Sequence, residues 1–110
     1  MTSTQMAATA LTERLGVDRG RLREICERYG VVELAVFGSV ARGEEGPESD
    51  VDVVVEFAPG VTHGLSYVAL ERELSGLLGR RVDLATKKWL KAGVRGEILG
   101  DAVVIYGAAK

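Results

Sequence analysis

The run Ser49-Asp50-Val51-Asp52-Val53-Val54-Val55 alternates acid with aliphatic side chain before turning wholly aliphatic. Alternate residues of a strand share a face. Asp50 and Asp52 therefore project together, while Val51, Val53 and Val55 project oppositely into a core. Two carboxylates side by side at the start of a strand repel each other. Either a cation sits between them or one takes up a proton. Hard oxygen ligands with no His or Cys beside them suit Mg²⁺ or Mn²⁺. Taken alone, the run also reads as a strand that begins at the surface with two solvated acids.

Upstream stands Phe37-Gly38-Ser39-Val40-Ala41-Arg42-Gly43. It follows Val31–Phe37, a short β-branched stretch that reads as a buried strand. Gly38 then leaves the strand and Ser39 opens a helical turn. A small residue there lets backbone N–H groups approach an anion, and the Ser hydroxyl can add a hydrogen bond. By itself this is an ordinary Gly-Ser turn after a strand. Beside paired carboxylates it describes a nucleoside triphosphate held at its phosphates, with divalent metal between phosphate and protein. A third acid, Asp83, lies in Arg81-Val82-Asp83-Leu84-Ala85, where Val82 and Leu84 face one way and Asp83 the other. If that short strand neighbours Val51–Phe57, Asp83 joins the same polar face. Otherwise it is an exposed acid on an edge, paired with Arg80 or Arg81.

The rest of the chain supplies a scaffold. Leu11, Leu15, Leu22, Ile25, Cys26 and Tyr29 carry a helical rhythm broken at Gly16–Val17. Asp18 is suited to cap a helix over about 18–29, and Gly30 to stop it. Residues 1–10 are weakly patterned and fit either a mobile end or a short helix. Glu44–Glu48, with Gly46–Pro47, is a surface loop. Leu65 to Leu78 reads as a helix closed by Gly79, Val82–Ala85 as a third strand, 88–99 as a helix and Val103–Tyr106 as a last strand or extended tail. The order predicts an α+β fold: a small mixed β-sheet with helices packed mainly on one face.

The chain has 110 residues, enough for one domain with a real core. One cysteine excludes an internal disulfide, and one Cys with one His cannot fill a zinc site. A histidine-dependent nucleophile would have only His63, which reads better as a cap or surface residue. Cys26 reads as core, and Trp89 as core or a partner contact. Sixteen acids against fourteen bases give a net charge of −2, which argues against nucleic acid as a direct partner. Arg80, Arg81, Lys87, Lys88, Lys91 and Arg95 nonetheless gather within one short stretch. That stretch is a solvated helix face, or else a rim that attracts triphosphate or an acidic partner. Glu44, Glu45 and Glu48 read as a solubilising loop. With no cationic leader and no long apolar run, the expectation is a cytoplasmic protein with no membrane contact.

Gly38-Ser39-Val40-Ala41-Arg42-Gly43, then Ser49-Asp50-Val51-Asp52, then Val82-Asp83-Leu84 resemble the DNA polymerase β-type nucleotidyltransferase superfamily. More narrowly, they are similar to the minimal nucleotidyltransferases, the MntA-like antitoxins paired with HEPN proteins. The resemblance covers about Val31 to Ile105. It implies Asp50, Asp52 and Asp83 as catalytic ligands of two Mg²⁺ ions, with Gly38 and Ser39 on the triphosphate. Arg42 matches a family position and would reach a phosphate or a partner, or brace the loop by pairing with an acid. The implied activity is transfer of AMP from ATP to a hydroxyl of a HEPN-type toxin. The alternative is a non-catalytic module that neutralises its partner by complex formation.

Overall fold

The computed structural model describes residues 3–44, 46, 50–60, 65–86 and 102–107. Ser49, His63, Trp89, the helix expected over 88–99 and most of the basic stretch lie outside the described residues.

Helix α1 spans Ser3–Leu15 and α2 spans Arg19–Tyr29. The residues before Leu11 thus belong to a helix that starts eight positions earlier than its leucine rhythm. Ala-rich sequence has high helix propensity, so it needs few anchors. Here Ala8, Leu11 and Thr12 are buried, and Thr12 returns its hydroxyl to Ala8 O at 2.9 Å. At the start of α2, Asp18 Oδ1 accepts from the N–H groups of Gly20 and Arg21 at 3.0 and 3.2 Å. Such a cap contributes about 1 kcal/mol. Gly30 ends the helix in the left-handed conformation, φ 70°, its N–H turned to the carbonyls of Cys26 and Glu27.

Strand β1 follows at Val31–Phe37, then the five-residue helix α3 at Gly38–Arg42 and β2 at Val51–Phe57. Helix α4 covers Leu65–Leu78, and β3 and β4 cover Val82–Thr86 and Val103–Gly107. The four strands form one sheet in the order β3-β2-β1-β4. β1 is antiparallel to β2 and β4, and β2 is parallel to β3, with α4 as the crossover that a parallel pair requires. The expected α+β fold with a mixed sheet is what forms.

One sheet face carries the core. Val36, Val51, Val53, Val55, Val82 and Leu84 meet Leu22, Ile25 and Cys26 of α2 and Leu70, Leu74 and Leu78 of α4. Each fully buried Val or Leu contributes about 1.5–3 kcal/mol relative to exposure, so this layer dominates stability. Cys26 belongs to it as expected: burial first, and the charge of Glu27 second, push its thiol up to about 12. It is core without thiolate reactivity. No helix among the described residues is long and apolar enough to cross a membrane.

A polar link spans α2 and α4. Tyr29 donates its hydroxyl proton to Glu73, and Arg28 Nη1 stands 2.9 Å from Glu73 Oε1. The Tyr29 hydrogen bond, joined by the Arg28 charge and opposed by burial, holds the Glu73 carboxyl below its ordinary 4.5. A depressed carboxyl adds stability that is present above the unfolded value and lost as pH falls through the folded one. Glu73→Gln should therefore flatten the acid limb of a thermal-midpoint profile below that value. The effect should be small, because the link is near the surface. An unchanged acid limb would show that the link contributes nothing.

Candidate active site

The antiparallel register of β1 and β2 sets Phe37, the last residue of β1, opposite Asp52, the second of β2. The parallel register of β2 and β3 sets Asp52 opposite Asp83. A row Phe37–Asp52–Asp83 thus crosses three strands on the face away from the core, with Asp50 at the mouth of β2. The strand adjacency that sequence alone left open is present, and it brings the two acids side by side. The polar character of this face is local. The next row, Ala35–Val54–Ala85, is apolar, and Ala35 and Val54 are buried.

Because Phe37 lies opposite Asp52, the chain leaving β1 passes directly over that carboxylate. Gly38 has φ +74°, and a Cβ placed on it would stand 2.5 Å from Asp52 Oδ2. Glycine is thus required twice: by backbone conformation and by the space the carboxylate occupies. From sequence alone, the reason for its smallness is only the approach of an anion. Helix α3 begins here with Phe37 at its N-cap position, where no side chain bonds the first N–H groups. Among the described residues, Ser39 Oγ has no hydrogen-bond partner. Val40 is fully buried and pins the turn to the core.

Asp52 is half-buried, and its carboxyl is raised above the ordinary 3.8. Burial is the largest cause, followed by the charges of Asp83 and Asp50, with Arg42 opposing. Each raising effect disfavours a second or third negative charge at one place. The described residues include no three His, Cys, Asp or Glu side chains already disposed around one ion. The donor chemistry nevertheless fits a hard divalent cation: oxygen ligands only, with mutual repulsion that a cation would relieve.

Arg42 Nε pairs with Glu44 Oε1 at 2.8 Å at the surface, an acid pairing of the kind the sequence left open to it. Its charge still acts on Asp52 at longer range. Two further arginines bond backbone carbonyls far from them in sequence. Arg14 Nη2 of α1 donates to Val40 O at 2.7 Å, tying α1 to α3. Arg80 Nη1, on a half-buried member of the basic stretch, donates to Gly46 O at 2.8 Å. No motif signals such long-range bonds to backbone carbonyls; they exist only once the helices are docked.

Beyond this geometry, the family profile described as the nucleotidyltransferase domain matches residues 19–105. The chain belongs to that family. A nucleotidyltransferase of Thermococcus cleftensis, the protein adenylyltransferase MntA, is 40% identical over 100 residues, 91% of this chain and all of its own. A solved structure provisionally described as a minimal nucleotidyltransferase superposes with TM-score 0.69 at 38% identity, covering 87% of this chain and 93% of its own. The antitoxin-bearing complex of a tri-AMPylated Shewanella oneidensis HEPN toxin matches with TM-score 0.58, covering 81% of this chain and 69% of the matched one. At 15% identity that last likeness shows the fold alone. The family and the Thermococcus relative make this nucleotidyltransferase an enzyme of that type, as its sequence motifs implied.

Proposed function

We propose that this nucleotidyltransferase is an antitoxin that moves AMP from ATP onto a hydroxyl of a HEPN-type partner toxin. The observation that carries the reading is the row in which Asp52 and Asp83 stand in register, with Gly38 packed onto the Asp52 carboxylate. In this reading Asp50, Asp52 and Asp83 hold two Mg²⁺ ions, and the Gly38–Ser39 turn meets the triphosphate. The bound metal would neutralise phosphate charge and lower the pKa of the attacking hydroxyl.

The chain's own residues do the rest. The first N–H groups of α3 and the Ser39 hydroxyl orient the phosphates. Asp83, at the exposed end of the row, accepts the proton of the attacking hydroxyl. The acceptor oxygen bonds the α-phosphorus, the α–β anhydride bond breaks, and pyrophosphate leaves. Positioning and charge neutralisation supply most of the acceleration. Protein as acceptor is supported by the name of the Thermococcus relative, and a HEPN toxin by the Shewanella complex. A reaction that consumes ATP and acts on an intracellular toxin takes place in the cytoplasm.

The test is intact mass spectrometry of the partner after mixing with this protein, ATP and Mg²⁺ over a range of ratios. The partner should gain the mass of one or more AMP groups at substoichiometric enzyme, because a catalyst turns over. Neutralisation that needs full stoichiometry and leaves the partner's mass unchanged would replace this reading with a binding module.

A further inference from the structure

Among the described residues, strand β3 carries Asp83 at the edge of the sheet, with β2 on one side only. The phase of its ladder is set by the bond from Val51 N–H to Arg81 O at 2.9 Å. Backbone groups of successive strand residues point to alternate sides. Odd-numbered residues of β3 therefore turn theirs to β2, and Val82 and Leu84 turn theirs to the open edge. An open edge leaves donors and acceptors unpaired, and a strand held on one side only is free to shift.

Helix α4 closes this edge with two side-chain hydroxyls. Ser75 Oγ accepts from Val82 N–H at 3.0 Å while donating its own proton to Glu71 O at 2.9 Å. Tyr67 Oη donates to Leu84 O at 2.5 Å. The phenol keeps its proton for that bond. Burial chiefly, with the charges of Glu71 and Asp83, raises its pKa, against a lowering effect of Thr86. Thr86 Oγ1 approaches the phenol but is buried without meeting hydrogen-bond geometry. The two bonded groups belong to the residues that flank Asp83: the N–H of Val82, in the peptide unit 81–82, and the carbonyl of Leu84, in the unit 84–85.

We propose that Tyr67 and Ser75 are positioning residues for Asp83. By holding the backbone of Val82 and Leu84, the residues on either side of it, they fix the depth at which its carboxylate stands beside Asp52. Both hydroxyls bond the backbone of β3, and it is through that backbone that they act. The inference rests on the reading of Asp83 as a metal-holding carboxylate, and it adds the two residues that set its reach. It also explains why a half-buried Tyr and Ser occupy a helix that could close the core with aliphatic residues alone.

The experiment measures Mn²⁺ affinity by titration calorimetry on the full chain saturated with a non-hydrolysable ATP analogue, with amide hydrogen exchange at Val82–Leu84 recorded in parallel. Tyr67→Phe and Ser75→Ala should each weaken Mn²⁺ binding by about tenfold, the lower range for losing a partner that orients a ligand. Exchange at Val82 should accelerate in Ser75→Ala, and Ser75→Thr should restore both readouts. Tyr29→Phe, which loses its bond to Glu73 on the α2 side of the same helix, is the control for general destabilisation. It should leave Mn²⁺ affinity at the wild-type value. Wild-type Mn²⁺ affinity in Tyr67→Phe and Ser75→Ala would overturn the proposal, as would an equal loss in Tyr29→Phe. Wild-type affinity in Asp83→Asn would instead overturn the reading of Asp83 beneath it, so the two failures are told apart.

Discussion

Asp52→Asn should abolish nucleotidyl transfer while leaving the protein as stable as before or more so. The two effects share one cause. Asp52 is the half-buried member of the acidic row, and burial together with Asp83 and Asp50 makes its charge costly to the folded protein. A raised carboxyl lowers stability as pH rises from the unfolded value through the folded one. At neutral pH the charge therefore opposes folding, and its removal relieves that cost. The same charge would hold the divalent ion of the proposed site, through which the triphosphate is bound, so transfer should fall by about 10³-fold. Thermal unfolding of metal-free protein and the partner mass assay measure the two sides separately. A variant that transfers at the wild-type rate would remove Asp52 from the site. A variant that melts well below wild type would show that the carboxylate is structural instead.

Gly38→Ala should damage both properties together, and for a different reason. The new Cβ would stand 2.5 Å from Asp52 Oδ2, at φ +74° where an L side chain is strained. The conformational part alone costs about 1–3 kcal/mol. For a chain of this size each kcal/mol lowers the melting midpoint by about 4–8 °C. The clash must also displace either the turn or the carboxylate. A shift of about 1 Å in a reacting group costs on the order of 10²-fold in rate. Asp52→Ala in the same chain removes the clashing oxygens and leaves the strain. The double variant should therefore recover part of the lost stability and none of the activity, a non-additive cycle expected of residues in contact. Strict additivity would mean that Gly38 and Asp52 do not meet.

Much of this molecule was legible before any tertiary contact was known. Asp18 and Gly30 bound α2 because cap chemistry is local to four or five residues. Val31–Phe37, Val51–Phe57 and Leu65–Leu78 announce themselves because burial on one face imposes a period of two or of about 3.6. The start of α1 was hidden for the same reason: of Met6–Ala10 only Ala8 is buried, too little to show a period. The facing of Asp50 and Asp52 away from Val51, Val53 and Val55 followed from strand alternation alone, and the Gly-Ser turn and third acid from motif spacing.

Which strands lie side by side is another matter, because pairing joins residues that alternation cannot relate. The Asp52–Asp83 register and the placing of β4 beside β1 exist only in the assembled sheet. So does the second reason for Gly38, since the Asp52 oxygen it must avoid belongs to another strand. The reach of Arg14 to Val40 O and the closing of the β3 edge by Tyr67 and Ser75 were likewise decided by docking. A long side chain or a hydroxyl takes whichever backbone or charged group the packed elements bring within about 3 Å. Local sequence fixes which residues can form the site; the packing of distant elements decides which of them meet.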